Sequence, residues 1–126
     1  MRKSLIIISL FNLVFGLSAC KHDEGFGGSA VIQGTVAHHS RTIPLAVVHI
    51  KFGAKESQDT LPANYDAHEL ADSLGNYTFS GLKAGNYYLF ASGYDSSISQ
   101  MVYGGIPVKL KKDDEILTTN VPVTED

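Results

Sequence analysis

Apolar and polar positions alternate with a period of two along most of the chain, in stretches that are short. Ile32, Gly34 and Val36 fall on one face of a first stretch. Pro44 opens a second, in which Val48, Ile50 and Phe52 alternate with His49 and Lys51. Tyr77 and Phe79 share the inward face of a later stretch, and Tyr87, Leu89 and Ala91 that of its neighbour. Ile106, Val108 and Leu110 follow, and Leu117, Thr119, Val121 and Val123 close the series. Residues 68–71 and 97–103 are shorter candidates of the same kind. A period of two places successive side chains on opposite faces of a strand, whereas a helix repeats at 3.6 residues. No window beyond residue 20 sustains the helical period. About seven short strands, bounded by Gly, Asn, Asp and Pro, predict an all-β antiparallel sandwich.

The turns carry matching chemistry. In Asp72-Ser73-Leu74-Gly75-Asn76 the carboxylate can accept from a backbone N–H two residues on, and Gly75 can take a positive φ. Gly81 and Gly85 bracket a second reversal, with Leu82 tucked beneath the sandwich as a plug. Residues 54–66 form a polar loop with room for a short edge strand.

The first twenty residues differ in kind. Arg2 and Lys3 precede an apolar run over residues 5–15, and the small residues Gly16, Ser18 and Ala19 follow. This is the three-part pattern of a secretory signal peptide, and it is shorter than the roughly 20 apolar residues that span a bilayer. Leu17-Ser18-Ala19-Cys20 resembles the bacterial lipobox. That resemblance implies cleavage after residue 19 and a lipid on Cys20, for which two or more acyl chains suffice as a stable anchor. Lys21-His22-Asp23-Glu24 is similar to the surface-export tag of Bacteroidetes-type lipoproteins, with His22 interrupting it. Lys21, Asp23 and Glu24 are therefore export-tag candidates, unless they simply begin a polar tether. The glycine-rich segment that follows suits a flexible tether, and residues 21–29 reach at most about 30 Å. The expected organisation is a signal over residues 1–19, a lipidated tether over 20–29 and a folded module over 30–126.

Composition sharpens this division. Without residues 1–19 the chain has 107 residues, eight of them basic and thirteen acidic, for a net charge of −5. This balance excludes the dense basic face of a nucleic-acid binder. A single cysteine excludes an intrachain disulfide, and no Cys/His spacing matches a zinc module. A module of this size buries enough core to fold without either.

Gly34-Thr35-Val36, the Pro44-Leu45-Ala46-x-Val48-x-Ile50 stretch, and Asp72-x-x-Gly75-x-Tyr77-x-Phe79-x-x-Leu82-x-x-Gly85-x-Tyr87-x-Leu89-x-Ala91 together resemble the carboxypeptidase regulatory-like domain. The resemblance spans roughly residues 30–123. It implies a seven-stranded transthyretin-like β-sandwich, related in architecture to immunoglobulin-like sandwiches, and an accessory or adhesive role without catalytic residues. The long polar segment between Phe52 and Leu70 departs from the family pattern.

Candidate chemistry is sparse. His38 and His39 end the first strand, and adjacent strand residues face opposite ways, so they read as solvated turn histidines rather than ligands of one metal. His49 and His68 lie elsewhere. Ser92, Ser96, Ser97 and Ser99 lack a nucleophile elbow, and Asp95 reads as a local backbone acceptor. Asp113, Asp114 and Glu115 read as a solvated turn. No catalytic residue, metal ligand or cofactor is predicted. The exposed-aromatic signal is stronger. Tyr88 and Phe90 point away from Tyr87, Leu89 and Ala91, where either the 54–66 segment covers them or a partner meets them. With Tyr94 and Tyr103 they are the partner-binding candidates. The sequence thus points to a lipid-anchored, non-enzymatic module of the outer membrane that binds an envelope protein or a glycan. An assembly subunit pairing through a sheet edge, or a small hydrolase with a convergent site, are the alternatives.

Overall fold

The computed structural model describes residues 24–56 and 62–125, so Cys20, Lys21 and Asp23 lie outside the described residues. The fold is all-β, with two packed sheets. Its strands are β1 (Phe26–His38), β2 (Arg41–Thr42), β3 (Val47–Phe52), β4 (Ala67–Leu70), β5 (Asn76–Leu82), β6 (Gly85–Asp95), β7 (Gln100–Leu110), β8 (Ile116–Thr118) and β9 (Val121–Pro122). One sheet is organised around β1, which pairs antiparallel with β5 and β2 and parallel with β8 and β9. The other runs β4-β3-β6-β7, antiparallel throughout.

The alternating residues meet between the sheets. Ile32, Val36, Val48, Ile50, Tyr87, Leu89 and Ala91 are fully buried there, with Tyr77, Phe79, Val121 and Val123 beside them. Leu82 is fully buried, as expected of a plug. Gly75 and Gly85 both adopt positive φ, at 81° and 145°. Asp72 Oδ1 accepts from the N–H groups of Leu74 and Asn76, both at 2.9 Å, so one carboxylate holds the whole β4–β5 turn.

Three features depart from the sequence expectation. Among the described residues the strands number nine, because β2 is a two-residue addition and the last apolar run divides into β8 and β9. It divides where Asn120 leaves the ladder and its side-chain Oδ1 accepts from Thr35 N at 3.0 Å. A Cβ on Gly34 would lie 1.8 Å from Thr119 O, so this crossing requires a residue without a side chain. Both pieces run parallel to β1, a pairing that local sequence cannot announce because the whole chain intervenes.

Residues 97–103 and 106–110 are not separate strands. β7 is continuous over eleven residues and pairs with β6 from Gly85↔Leu110 to Asp95↔Gln100. Gly104 and Gly105 read as a break, yet they serve close approach: Pro122 O lies 2.0 Å from a Cβ on Gly104, and the Tyr88 ring 2.6 Å from one on Gly105. Finally, the described part of the tether is already folded. Phe26–Ser29 belong to β1, which bulges between Phe26 and Ile32. Gly25 is clamped by the Tyr87 hydroxyl, to which its N–H donates at 2.9 Å.

Candidate functional site

β1 carries thirteen residues, and its regular part from Ala30 to His38 spans about 26 Å at a rise of about 3.3 Å per residue, because the bulge sets Phe26 and Ala30 opposite the same residue, Leu82. It therefore separates two ends of the sandwich. The proximal end receives the N-terminal segment. There Glu24 accepts from Asn86 N at 3.1 Å, and Asp113 accepts from Ala84 N at 2.6 Å. Glu24, an export-tag candidate, is thus bound to the start of β6. Asp113 and Glu115, expected to be merely solvated, instead hold backbone N–H groups, Glu115 accepting from Lys111 at 2.7 Å.

The distal end collects the β1–β2, β4–β5 and β6–β7 turns and the segment after β9. Its backbone is unusual. His39, Leu45 and Ser99 have φ of 56°, 58° and 54°, and these are the positive-φ residues other than glycine among the described residues. Such strain persists only where surrounding structure enforces it, and it concentrates at functional sites. Of the eight large hydrophobic side chains exposed among the described residues, six are also here: Leu45, Leu70, Leu74, Tyr94, Ile98 and Met101. A groove of about 210 Å³ runs between Arg41–Pro44, Ser73 and Tyr94–Ser96. It offers an aromatic ring, a guanidinium and hydroxyl groups at one place.

A buried polar cluster underlies this end. His38 Nδ1 lies 2.8 Å from Asp95 Oδ2, and the two side chains are 6% and 1% exposed. Ser97 donates to Asp95 Oδ1 through both its N–H and its hydroxyl. His38 Nε2 lies 3.3 Å from Glu125 Oε1. The hydrogen bond to Asp95 raises the His38 pKa above its ordinary value, with Glu125 adding to it. The Ser97 and His38 hydrogen bonds hold the Asp95 carboxyl down at about 2. His38 is therefore not the solvated turn residue expected from sequence, although its neighbour His39 is exposed. The cluster does not have the order of a hydrolytic triad. A nucleophilic hydroxyl must bond the histidine, whereas Ser97 bonds the carboxylate and His38 turns its other nitrogen to Glu125.

The aromatic candidates separate. Tyr88 and Phe90 do face away from the main core, but they are only 7% and 8% exposed. Tyr65, from the long polar segment, covers them. It stacks on Phe90 at 5.9 Å and 20° and approaches His49 at 5.5 Å. Tyr103 stacks on the other side of Phe90 at 6.5 Å and 17°. Burial removes Tyr88 and Phe90 from the surface a partner can reach, and Tyr103 is half-covered. Tyr94, 51% exposed and lining the distal groove, is the aromatic candidate that remains presented. His49, buried in this second cluster, has its pKa lowered by desolvation and by the nearby His68.

No family model matches the chain, and no curated protein sequence matches it. Its fold is similar to that of solved structures, among them the following two. One is a candidate carbohydrate-binding protein of Pseudomonas aeruginosa, with a TM-score of 0.54 at 14% identity, covering 86% of this chain and 95% of that one. The other is BcpA, the major pilin subunit of Bacillus cereus, with a TM-score of 0.53 at 13% identity over 78% of this chain. The chain spans 30% of the pilin's length. At these identities the likeness is one of fold: the architecture is a β-sandwich of a kind used in both proteins, and fold alone assigns no chemistry.

Proposed function

We propose that the chain is a lipid-anchored, non-enzymatic binding module of the bacterial cell envelope, tethered through Cys20 at its proximal end and engaging its partner with the distal end. The observation that carries this reading is the concentration of backbone strain, exposed apolar side chains and the Tyr94 groove at the end of β1 opposite the N-terminal segment. An anchored module gains from holding its contact surface away from the membrane. Tyr94 beside Arg41, Ser73 and Ser96 suits the face of a sugar ring, with the ring stacking and the polar groups accepting and donating to hydroxyls. A glycan is therefore the favoured partner class over a protein surface.

Pairing through the β7 edge has less support. The β7 edge carries Pro107, and Tyr103 exchanges two backbone hydrogen bonds with Thr124 across it, at 2.9 and 2.8 Å. Both devices blunt an edge. Glycan-array screening of the purified chain tests the reading. Binding to a defined glycan that falls at least tenfold in Tyr94→Ala supports it. Binding unaffected by Tyr94→Ala, or no glycan bound while a stoichiometric homo-oligomer forms, overturns it. Radiolabelled palmitate tests the anchor separately: label must enter the parent chain and be absent from Cys20→Ala.

A further inference from the structure

The geometry points to a divalent transition-metal site at the distal end, made by His38, His39 and Glu125, which we propose takes zinc or an ion of similar ligand preference. One ligand atom from each residue lies within 4.8 Å of the others. In a tetrahedral site with bonds of about 2.1 Å the ligand atoms stand about 3.4 Å apart. His38 Nε2 and Glu125 Oε1 already meet this spacing at 3.3 Å. His39 is exposed and free to close the remaining distance. Successive strand residues face opposite ways, but His39 has left the strand. Its φ of 56° folds its ring back beside His38, with centroids 4.4 Å apart.

The surroundings are those of an oriented ligand set. Asp95, itself buried, accepts from His38 Nδ1–H and so turns Nε2 toward Glu125, where a bound ion would take the place of the Nε2 proton. A carboxylate on the distal nitrogen of a ligating histidine fixes its tautomer and raises its basicity. Ser97 in turn holds the second oxygen of Asp95. The Thr124 hydroxyl lies 3.1 Å from Glu125 Oε1, and the Tyr103–Thr124 bridge pins the segment that delivers it. Two imidazoles and one carboxylate form a three-ligand set that zinc uses with its fourth position open. A ligand from outside the chain could then fill the fourth position.

Calorimetric titration of the full chain, free of histidine tags, with Zn²⁺ tests this inference, and Co²⁺ absorption reports the coordination. The expected result is one site of micromolar or better affinity, with a tetrahedral Co²⁺ spectrum. His39→Asn, which keeps a residue tolerant of positive φ, and Glu125→Gln should each weaken it at least tenfold. Asp95→Asn should weaken it about 10–100-fold while leaving all three ligands in place. His68→Ala, which alters the separate His49–His68 pair, should leave it unchanged. No binding below about 1 mM, or binding lost in His68→Ala but retained in His39→Asn, overturns the assignment. None of these outcomes depends on glycan binding, so the two proposals fail separately.

Discussion

Replacing Tyr87 by phenylalanine isolates what holds the N-terminal segment to the sandwich. The ring is fully buried between Phe52 and the core, and the substitution leaves it in place. Only the hydroxyl is removed. It accepts from Gly25 N at 2.9 Å and, having a single proton, donates to Lys83 O at 2.7 Å rather than to Gly25 O at 3.3 Å. Two hydrogen bonds are lost, and a buried N–H and a half-buried C=O lose a partner. Each bond contributes about 0.5–1.5 kcal/mol net, and an orphaned buried group costs about 1–3 kcal/mol. Gly25 O keeps its bond from Lys83 N at 2.8 Å, so the segment is not wholly released. A loss of about 2 kcal/mol follows, which for a domain of about 100 residues lowers Tm by about 8–16 °C. Thermal unfolding followed by circular dichroism measures the shift, and amide exchange at Gly25 should accelerate with it. A Tm within about 2 °C of the parent would refute the clamp and return residues 24–29 to a flexible tether.

Three other perturbations probe separate levels. Gly34→Ala forces a methyl to within 1.8 Å of Thr119 O; overpacking of this kind costs about 1–3 kcal/mol, and a Tm unchanged in calorimetry would contradict the crossing of β1 by the 119–120 segment. Tyr65→Ala uncovers Tyr88 and Phe90, so binding of a hydrophobic dye should rise while the far-ultraviolet dichroism stays that of a β-sandwich; no rise would mean that another group covers the pair. NMR titration should place the His38 midpoint above 6.5 and that of His49 below it, since the first is stabilised as a cation by Asp95 and the second is desolvated. The signs then oppose: His38 contributes stability fully below about pH 6.5 and loses it as pH rises through its raised value, while His49 contributes above about 6.5 and loses it as pH falls. A His38 midpoint at or below 6.5 would contradict the buried pair with Asp95.

Strand patterning was legible because it depends on nearest neighbours. Alternation in Val48-His49-Ile50 or Tyr87-Tyr88-Leu89 assigns faces without knowledge of the partner strand, and Asp72 with Gly75 forms a turn within five residues. The same locality explains the errors. Gly104-Gly105 has the composition of a turn, and only the approach of Pro122 and Tyr88 shows it to be the thin part of a long strand. His38, Asp95 and Glu125 are far apart in the chain. Each alone reads as a polar residue at a strand end, and nothing local signals that β1, β6 and the segment after β9 finish at one place.

The sequence by itself determined the all-β class, the inward faces of the main strands, the turn at Asp72–Asn76, and an N-terminal segment with the pattern of a lipoprotein signal. These follow from periodicity and backbone preference, which act over a few residues. Tertiary structure decided the rest. It paired β8 and β9 parallel to β1, laid Tyr65 over Tyr88 and Phe90, and joined His38 to Asp95 and Glu125. The physical reason is the same in each case: burial and hydrogen bonding act through distance in space, and the residues they bring together are separated by up to most of the length of the chain.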